Sequence, residues 1–212
     1  MVFLSLRSLF IAFVFGLGAC VAVAAPLRAA SGDLDPAAAQ IESFYAALLD
    51  TMKQGKELGI QGRYKKLTPA IEQTLDLPAM TAFAVGPTWP SIPADKQAAL
   101  TDAFKHMTVA TYARNFASYN GERFEVDPKV QTRNELRIVR TNLVPPGKEP
   151  VSLSYLMHQT GPAWKVIDVY YMGTISQLAA RRSEFSAILR DGGPDALQQK
   201  LRELGDRLMA GA

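Results

Sequence analysis

Apolar positions between residues 36 and 52 recur every three or four places. Ile41, Phe44, Tyr45, Leu48, Leu49 and Met52 form one stripe of an amphipathic helix opened by Pro36. Gly55, Gly59 and Gly62 interrupt that pattern, so 53–63 is expected to be a broken or short element. Thr68-Pro69 has the form of an N-cap followed by proline at the first helical position, which predicts a fresh helix start carrying Ile71 and Leu75. Asp76 and Pro78 predict another short helix with Met80 and Phe83 on one side, ended by Gly86-Pro87. The longest helix is expected from Pro93 to about Tyr119, with Leu100, Phe104, Met107, Thr111 and Phe116 along its buried stripe.

After Asn120-Gly121 the period shortens to two. Strands are predicted over 122–126, 130–144, 151–159 and 164–172, separated by Asp127-Pro128, Pro145-Pro146-Gly147 and Thr160-Gly161-Pro162. Turns this short join antiparallel neighbours and give a meander. In the last strand Ile167, Val169 and Tyr171 alternate with Trp164, Val166 and Tyr170, so both faces are apolar and both are expected to be covered. Gly173 closes the sheet. Thr174 is expected to cap a helix carrying Ile175, Leu178, Phe185 and Leu189, and Gly192-Gly193-Pro194 separates it from a last helix with Leu197, Leu201, Leu204 and Leu208. The expected fold class is therefore α+β, a four-stranded twisted antiparallel sheet covered by several helices. Met and Phe facing an apolar sheet suit an irregular cavity between sheet and helices, because Met adapts its shape and Phe supplies area. The same stripe also reads as ordinary core packing.

Composition changes this picture at the start of the chain. Arg7 is the only charge in residues 1–25, an apolar run follows it, and Val23-Ala24-Ala25 precedes Pro26. This is the pattern of a secretory signal over 1–25. It predicts a location outside the cytoplasm, a flexible lead-in over 26–35 and one domain over 36–212. Cys20, the only cysteine, follows Leu17-Gly18-Ala19 and resembles a lipobox, which leaves a lipoprotein reading open. Cleavage after Ala25 instead leaves a chain without disulfides, held by its core alone. With 23 basic and 20 acidic residues the net charge is +3, too small and too scattered for nucleic acid.

Candidate chemistry is sparse. There is no Gly-x-Ser-x-Gly elbow, P-loop or dinucleotide fingerprint, and His106 and His158 are not at metal-ligand spacing. No catalytic residue, cofactor or metal is expected. An alternative is a small exported hydrolase in which His158, Asp168 and Ser152 or Ser154 converge across neighbouring strands. Asp168 lies among apolar residues and must be hydrogen-bonded or paired. Its partner is either structural, a backbone amide or an arginine such as Arg140, or the hydroxyl or cationic headgroup of a ligand.

Three stretches carry a resemblance. The first is Tyr64-x-x-Leu67-x-Pro69, then Asp76-Leu77-x-x-Met80 and Gly86-x-x-Trp89. The second is Gln97-x-x-Leu100-x-x-x-Phe104 through Thr111-Tyr112-Ala113. The third is Trp164-Lys165-Val166-Ile167-Asp168-Val169, then Gly173, Phe185 and Gly192-Gly193. In this order they resemble the MlaC, or toluene-tolerance, family of periplasmic lipid-binding proteins. Met52-Lys53-Gln54-Gly55, Gly62-Arg63-Tyr64, Gly121-Glu122-Arg123-Phe124 and Gly173-Thr174-Ile175-Ser176 are similar to its hopanoid-biosynthesis-associated branch, HpnM.

The resemblance implies a sheet-and-helix core of the nuclear-transport-factor/cystatin type with extra N-terminal helices. It also implies a periplasmic shuttle that carries a phospholipid or hopanoid between an inner-membrane lipid transporter of ABC type and an outer-membrane lipid complex. Acyl chains would lie between sheet and helices. On that reading the lipid-binding residues are Leu75, Met80, Phe83, Phe104 and Met107 from helices, with Tyr155, Met157, Ile167, Val169 and Tyr171 from the sheet. The protein is expected to be a monomer. A non-lipid-binding adaptor of a membrane transport complex remains a further alternative.

Overall fold

The computed structural model describes residues 34–211; the expected signal over 1–25, Cys20 and the lead-in as far as residue 33 lie outside the described residues. Helix α1 (Pro36–Lys53) begins where Asp35 Oδ1 accepts the Ala37 N–H at 2.8 Å, and it buries Ile41, Phe44, Tyr45, Leu48 and Met52. Helix α2 (Gly55–Thr74) is broken at Gly59, whose φ of 58° and ψ of −178° are open essentially to glycine alone. It then runs straight through Thr68-Pro69, where a new start was expected. Thr68 Oγ1 donates back to the Tyr64 carbonyl at 2.8 Å, as a mid-helix threonine does. Burial of Arg63, Leu67, Ile71 and Thr74 along α2 outweighs the local start signal.

Asp76 caps α3 (Leu77–Val85) by accepting the Ala79 N–H at 3.0 Å. A short 3-10 turn at Trp89–Ser91 leads to α4 (Ala94–Asn115). α4 stops before the expected Tyr119, because Phe116 leaves helical geometry and stacks on Tyr112 at 5.5 Å. Thr111 is only half-buried; Ala103, Thr108, Val109, Ala110 and Ala113 join Leu100, Phe104 and Met107 inside.

The close approach of α2 and α4 rests on a glycine. A Cβ at Gly55 would lie 2.0 Å from the Ala117 carbonyl oxygen, a backbone atom with no rotamer to yield. Arg63 seals the junction, donating from Nε to the Ala113 carbonyl at 2.7 Å and from Nη1 to the Gly55 carbonyl at 2.6 Å. Gly55→Ala is expected to lower stability by about 3 kcal/mol, the upper end for overpacking. Thermal unfolding checks this, and an unchanged melting temperature would refute the contact.

The sheet comprises β1 (Arg123–Val126), β2 (Gln131–Arg133), β3 (Leu136–Val144), β4 (Val151–Thr160), β5 (Ala163–Tyr171) and β6 (Ile175–Ser176). Its order is β1-β3-β4-β5-β6, with β2 also beside β3 and every pair antiparallel. The predicted strand over 130–144 is two strands. Asn134 turns the chain at φ 54°, a left-handed conformation that asparagine tolerates better than most residues. Ile175 pairs with Tyr171 in β6 instead of starting a helix. Ser176, not Thr174, caps α5 (Gln177–Ala210), accepting the Ala179 N–H at 2.9 Å. α5 is interrupted at Gly193 (φ 69°), where Gly192-Gly193-Pro194 marks a stop.

A β-bulge alters the expected faces of β5. Leu156 pairs with Asp168 but Met157 with Val166, so Ile167 has no partner in the register. Residues beyond it change sides. Trp164 and Val166 consequently share a face with Val169 and Tyr171, not the opposite one. α1 packs against β1, β3 and β5, while α4 and α5 lie side by side. Phe104 of α4 meets Phe185 of α5 edge to face at 6.5 Å. The opposite face is covered at Asp168 by the start of α5, but Arg140, Asn142 and Ser152 are exposed. Two-sided cover is thus confined to part of the sheet.

Candidate functional site

Three cross-strand rows build the apolar face of the sheet. Val139, Tyr155 and Val169 lie in register, flanked by Arg137–Met157–Val166 and Thr141–Leu153–Tyr171. Side chains opposite one another share a face and touch. Val139, Met157 and Val166 are wholly buried there. At one end Arg137 covers the Trp164 ring at 5.0 Å and faces Asp35 of the α1 cap at 3.6 Å.

Leu75, Met80, Phe104, Met107, Tyr155 and Met157 all lie in one buried apolar cluster, and Val169 packs on its edge. Leu75 is held to the sheet by a parallel bridge to Val166, with the Asp76 N–H donating to the Val166 carbonyl at 2.9 Å. The other three candidates lie outside that cluster. Phe83 faces solvent under the Arg182 guanidinium, whose carbon is 5.8 Å from the ring. Ile167 is the unpaired bulge residue, and Tyr171 is half-buried at the end of β5. Met80 and Phe83, three residues apart, were expected on one side; α3 is too short and too evenly apolar for spacing to distinguish the face that packs.

Where a cavity between sheet and helices was expected, the described residues form one buried apolar cluster. Two pockets among the described residues are surface depressions away from the sheet. One, of about 440 Å³, lies between the end of α3 and the break in α5 and is lined by Val85, Ile92 and Leu189. The other runs along polar residues of the last helix. Apolar surfaces close on one another whenever nothing else covers them. Three methionines, Met80, Met107 and Met157, supply side chains flexible enough to fill irregular space or to leave it.

Sequence reasoning missed the polar group on this face. The Tyr45 phenol of α1 lies 2.6 Å from the Thr141 hydroxyl and donates to the Tyr155 phenol at 2.9 Å. Phe124 stacks on Tyr45 at 4.3 Å. Burial pushes the Tyr45 phenol up to about 12, and burial together with the neighbouring tyrosines raises Tyr155 and Tyr112 as well. All three are therefore neutral at physiological pH, and Tyr45 and Tyr155 are hydrogen-bonded to each other. Tyr45 was visible on the α1 stripe, but nothing in the stripe signals a polar partner across the core.

Asp168 resolves to its structural reading, with other partners than Arg140. It accepts from the Val169 N–H at 2.8 Å, Ser176 Oγ at 2.5 Å and the Leu178 N–H at 3.2 Å. His158 Nε2 instead meets Asp76 Oδ2 at 2.7 Å, with Thr160 Oγ1 at 3.1 Å. Asp168 and His158 are thus engaged separately, and the Ser–His–Asp arrangement does not assemble among the described residues. His158–Asp76 and the Lys165 Nζ bond to the Glu72 carbonyl at 3.0 Å clamp the β4–β5 hairpin onto the α2–α3 junction.

The fold matches that of a Ralstonia solanacearum protein, described as a phospholipid-binding protein in complex with a phospholipid. The TM-score is 0.69 at 24% identity, covering 82% of this chain and 99% of that one. No curated protein matches the sequence significantly. Residues 42–203 match the family described as MlaC protein. That match takes in both the helical layer and the entire sheet, and the chain belongs to the MlaC family.

Proposed function

We propose that this protein binds a single lipid, its acyl chains entering between the apolar sheet face and the helices while Met80, Met107 and Met157 shift aside. The observation that carries this reading is the phospholipid complex of the R. solanacearum protein, whose whole fold is reproduced here. A carrier must shield its cargo from water at roughly 0.8 kcal/mol per methylene. Leu75, Met80, Phe104, Met107, Tyr155, Met157 and Val169 supply contiguous apolar surface for this. The Tyr45–Thr141–Tyr155 hydroxyls would meet an ester or hydroxyl group of the cargo. We place the protein in the periplasm, as a monomeric shuttle between inner- and outer-membrane transport components. The HpnM-like phrases make a hopanoid the second cargo after a phospholipid.

The packed interior favours a second reading, a family member that joins a membrane transport complex without carrying lipid. Native mass spectrometry of protein purified without detergent, followed by solvent extraction, separates the two. A stoichiometric phospholipid or hopanoid supports the carrier, whereas empty, folded protein from lipid-replete cells supports the adaptor. Val169→Trp places an indole at the edge of the apolar cluster. It is expected to reduce bound lipid several-fold with the fold intact; unchanged occupancy would remove Val169 from the site.

A further inference from the structure

We infer that the β5–β6 turn and the start of α5 form a bilayer-contacting tip that docks on an anionic phospholipid surface. Four large apolar side chains are exposed among the described residues: Phe83, Tyr119, Met172 and Ile175. Two of them lie at this turn, and a third contacts α5. Met172 is 64% exposed and Ile175 52% exposed in the turn that precedes α5, and Phe83 lies against Arg182 in the second turn of α5. Tyr119 lies elsewhere, beneath Lys53. Scattered apolar residues on a surface need no explanation, but a group of them does.

The turn itself shows that folding does not select its apolar residue. Met172 has φ 51° and Gly173 φ 72°, and the Thr174 N–H reaches back to the Tyr171 carbonyl at 3.3 Å. Two successive left-handed residues favour Asn-Gly, and a methionine at the first position is strained. Here a strained backbone position carries a long apolar side chain that projects into water. Strain together with exposure points to a contact made outside the folded chain.

The charge of the tip selects the partner. Residues 171–182 contain Arg181 and Arg182 and no acidic residue, and the carboxylate that meets the start of α5 is that of buried Asp168, which accepts the Leu178 N–H. Arg181 pairs with Glu184 at 3.1 Å, while Arg182 has no carboxylate partner among the described residues. Apolar side chains flanked by arginine fit the boundary between lipid phosphates and acyl chains. This surface goes beyond the proposed carrier function, saying how such a protein would meet a membrane.

Co-sedimentation of the purified protein with vesicles of phosphatidylethanolamine and phosphatidylglycerol, against vesicles of phosphatidylcholine alone, tests it. The protein is expected to prefer the anionic vesicles, and added salt should weaken that binding. Met172→Asn with Ile175→Ser is expected to cut the partition by about tenfold, the scale of two large apolar groups leaving an interface. Because asparagine suits the left-handed turn, the same variant should melt at or above the wild-type temperature, which separates lost docking from lost fold. Arg182→Gln should weaken binding to anionic vesicles about fivefold and leave the weak binding to phosphatidylcholine unchanged. No preference of the wild type for anionic vesicles, or equal partition of wild type and the Met172/Ile175 variant, would overturn the proposal, and the tip would then be a protein contact. Internal cargo does not enter the measurement, so its outcome is distinguishable from failure of the carrier reading.

Discussion

Asp168→Ala is expected to lower stability by about 3–5 kcal/mol, because one buried carboxylate holds three elements together. Asp168 is 4% exposed and accepts from Val169 in β5, Ser176 in β6 and Leu178 in α5. Hydrogen bonds to a charged group are worth roughly 1.5–3 kcal/mol each, and truncation leaves the donors behind. Part of the loss is recovered where the start of α5 frays into water, which keeps the total below the sum of three such bonds. For a chain of this size the melting temperature should fall by roughly 10 °C. Asp168→Asn retains an acceptor oxygen and should lose less. Denaturant unfolding of both variants checks the assignment; an Ala variant within about 0.5 kcal/mol of wild type would show that these bonds do not hold α5 to the sheet.

The protein should also unfold on the alkaline side, as its buried tyrosines are forced to ionise. Tyr45 is pushed up to about 12, and Tyr155 and Tyr112 are raised, because burial disfavours the phenolate in the folded state. In the unfolded chain a tyrosine ionises near pH 10. The stability these groups contribute is therefore fully present below pH 10 and is lost as pH rises through the folded values. At about 1.4 kcal/mol per pH unit, Tyr45 alone accounts for roughly 2–3 kcal/mol between pH 10 and 12. The denaturant midpoint should be flat with respect to these groups from pH 7 to just below 10 and steep above it. Tyr45→Phe should flatten the alkaline limb while lowering stability at pH 7 by about 1–2 kcal/mol, since Thr141 and Tyr155 lose a partner. Ultraviolet titration of the phenols provides the check: a wild-type protein whose tyrosines all ionise near pH 10 while folded would refute the buried trio.

Most of the expected binding set proved to be interior, but for reasons the residue pattern states only in part. Leu75, Met80, Phe104, Met107, Tyr155 and Met157 are buried because helix and strand periodicity places apolar residues on the packed side. Phe83 breaks that rule. α3 is apolar almost throughout, so periodicity cannot distinguish the face that meets α4, α5 and the sheet from the one that meets Arg182. Ile167 fails for a different reason: a bulge shifts parity by one residue, and no single residue type announces it.

The sequence by itself determined the α+β class, the meander, the Gly-Gly-Pro break in the last helix and the burial of the α1 stripe, because these depend on local periodicity and turn chemistry. The three stretches spread along the chain also sufficed to point to the MlaC family. Only the tertiary structure decided that α2 passes through Thr68-Pro69, that Trp164 and Val166 join Val169 on one face, and that Asp168 holds α5 rather than a ligand. It alone brought Tyr45 to Thr141 and Tyr155, residues 96 and 110 positions away. These outcomes turn on packing and hydrogen bonds between segments distant in the chain. Such contacts outweigh a local propensity of a few tenths of a kcal/mol to about 1 kcal/mol, and no local pattern encodes them.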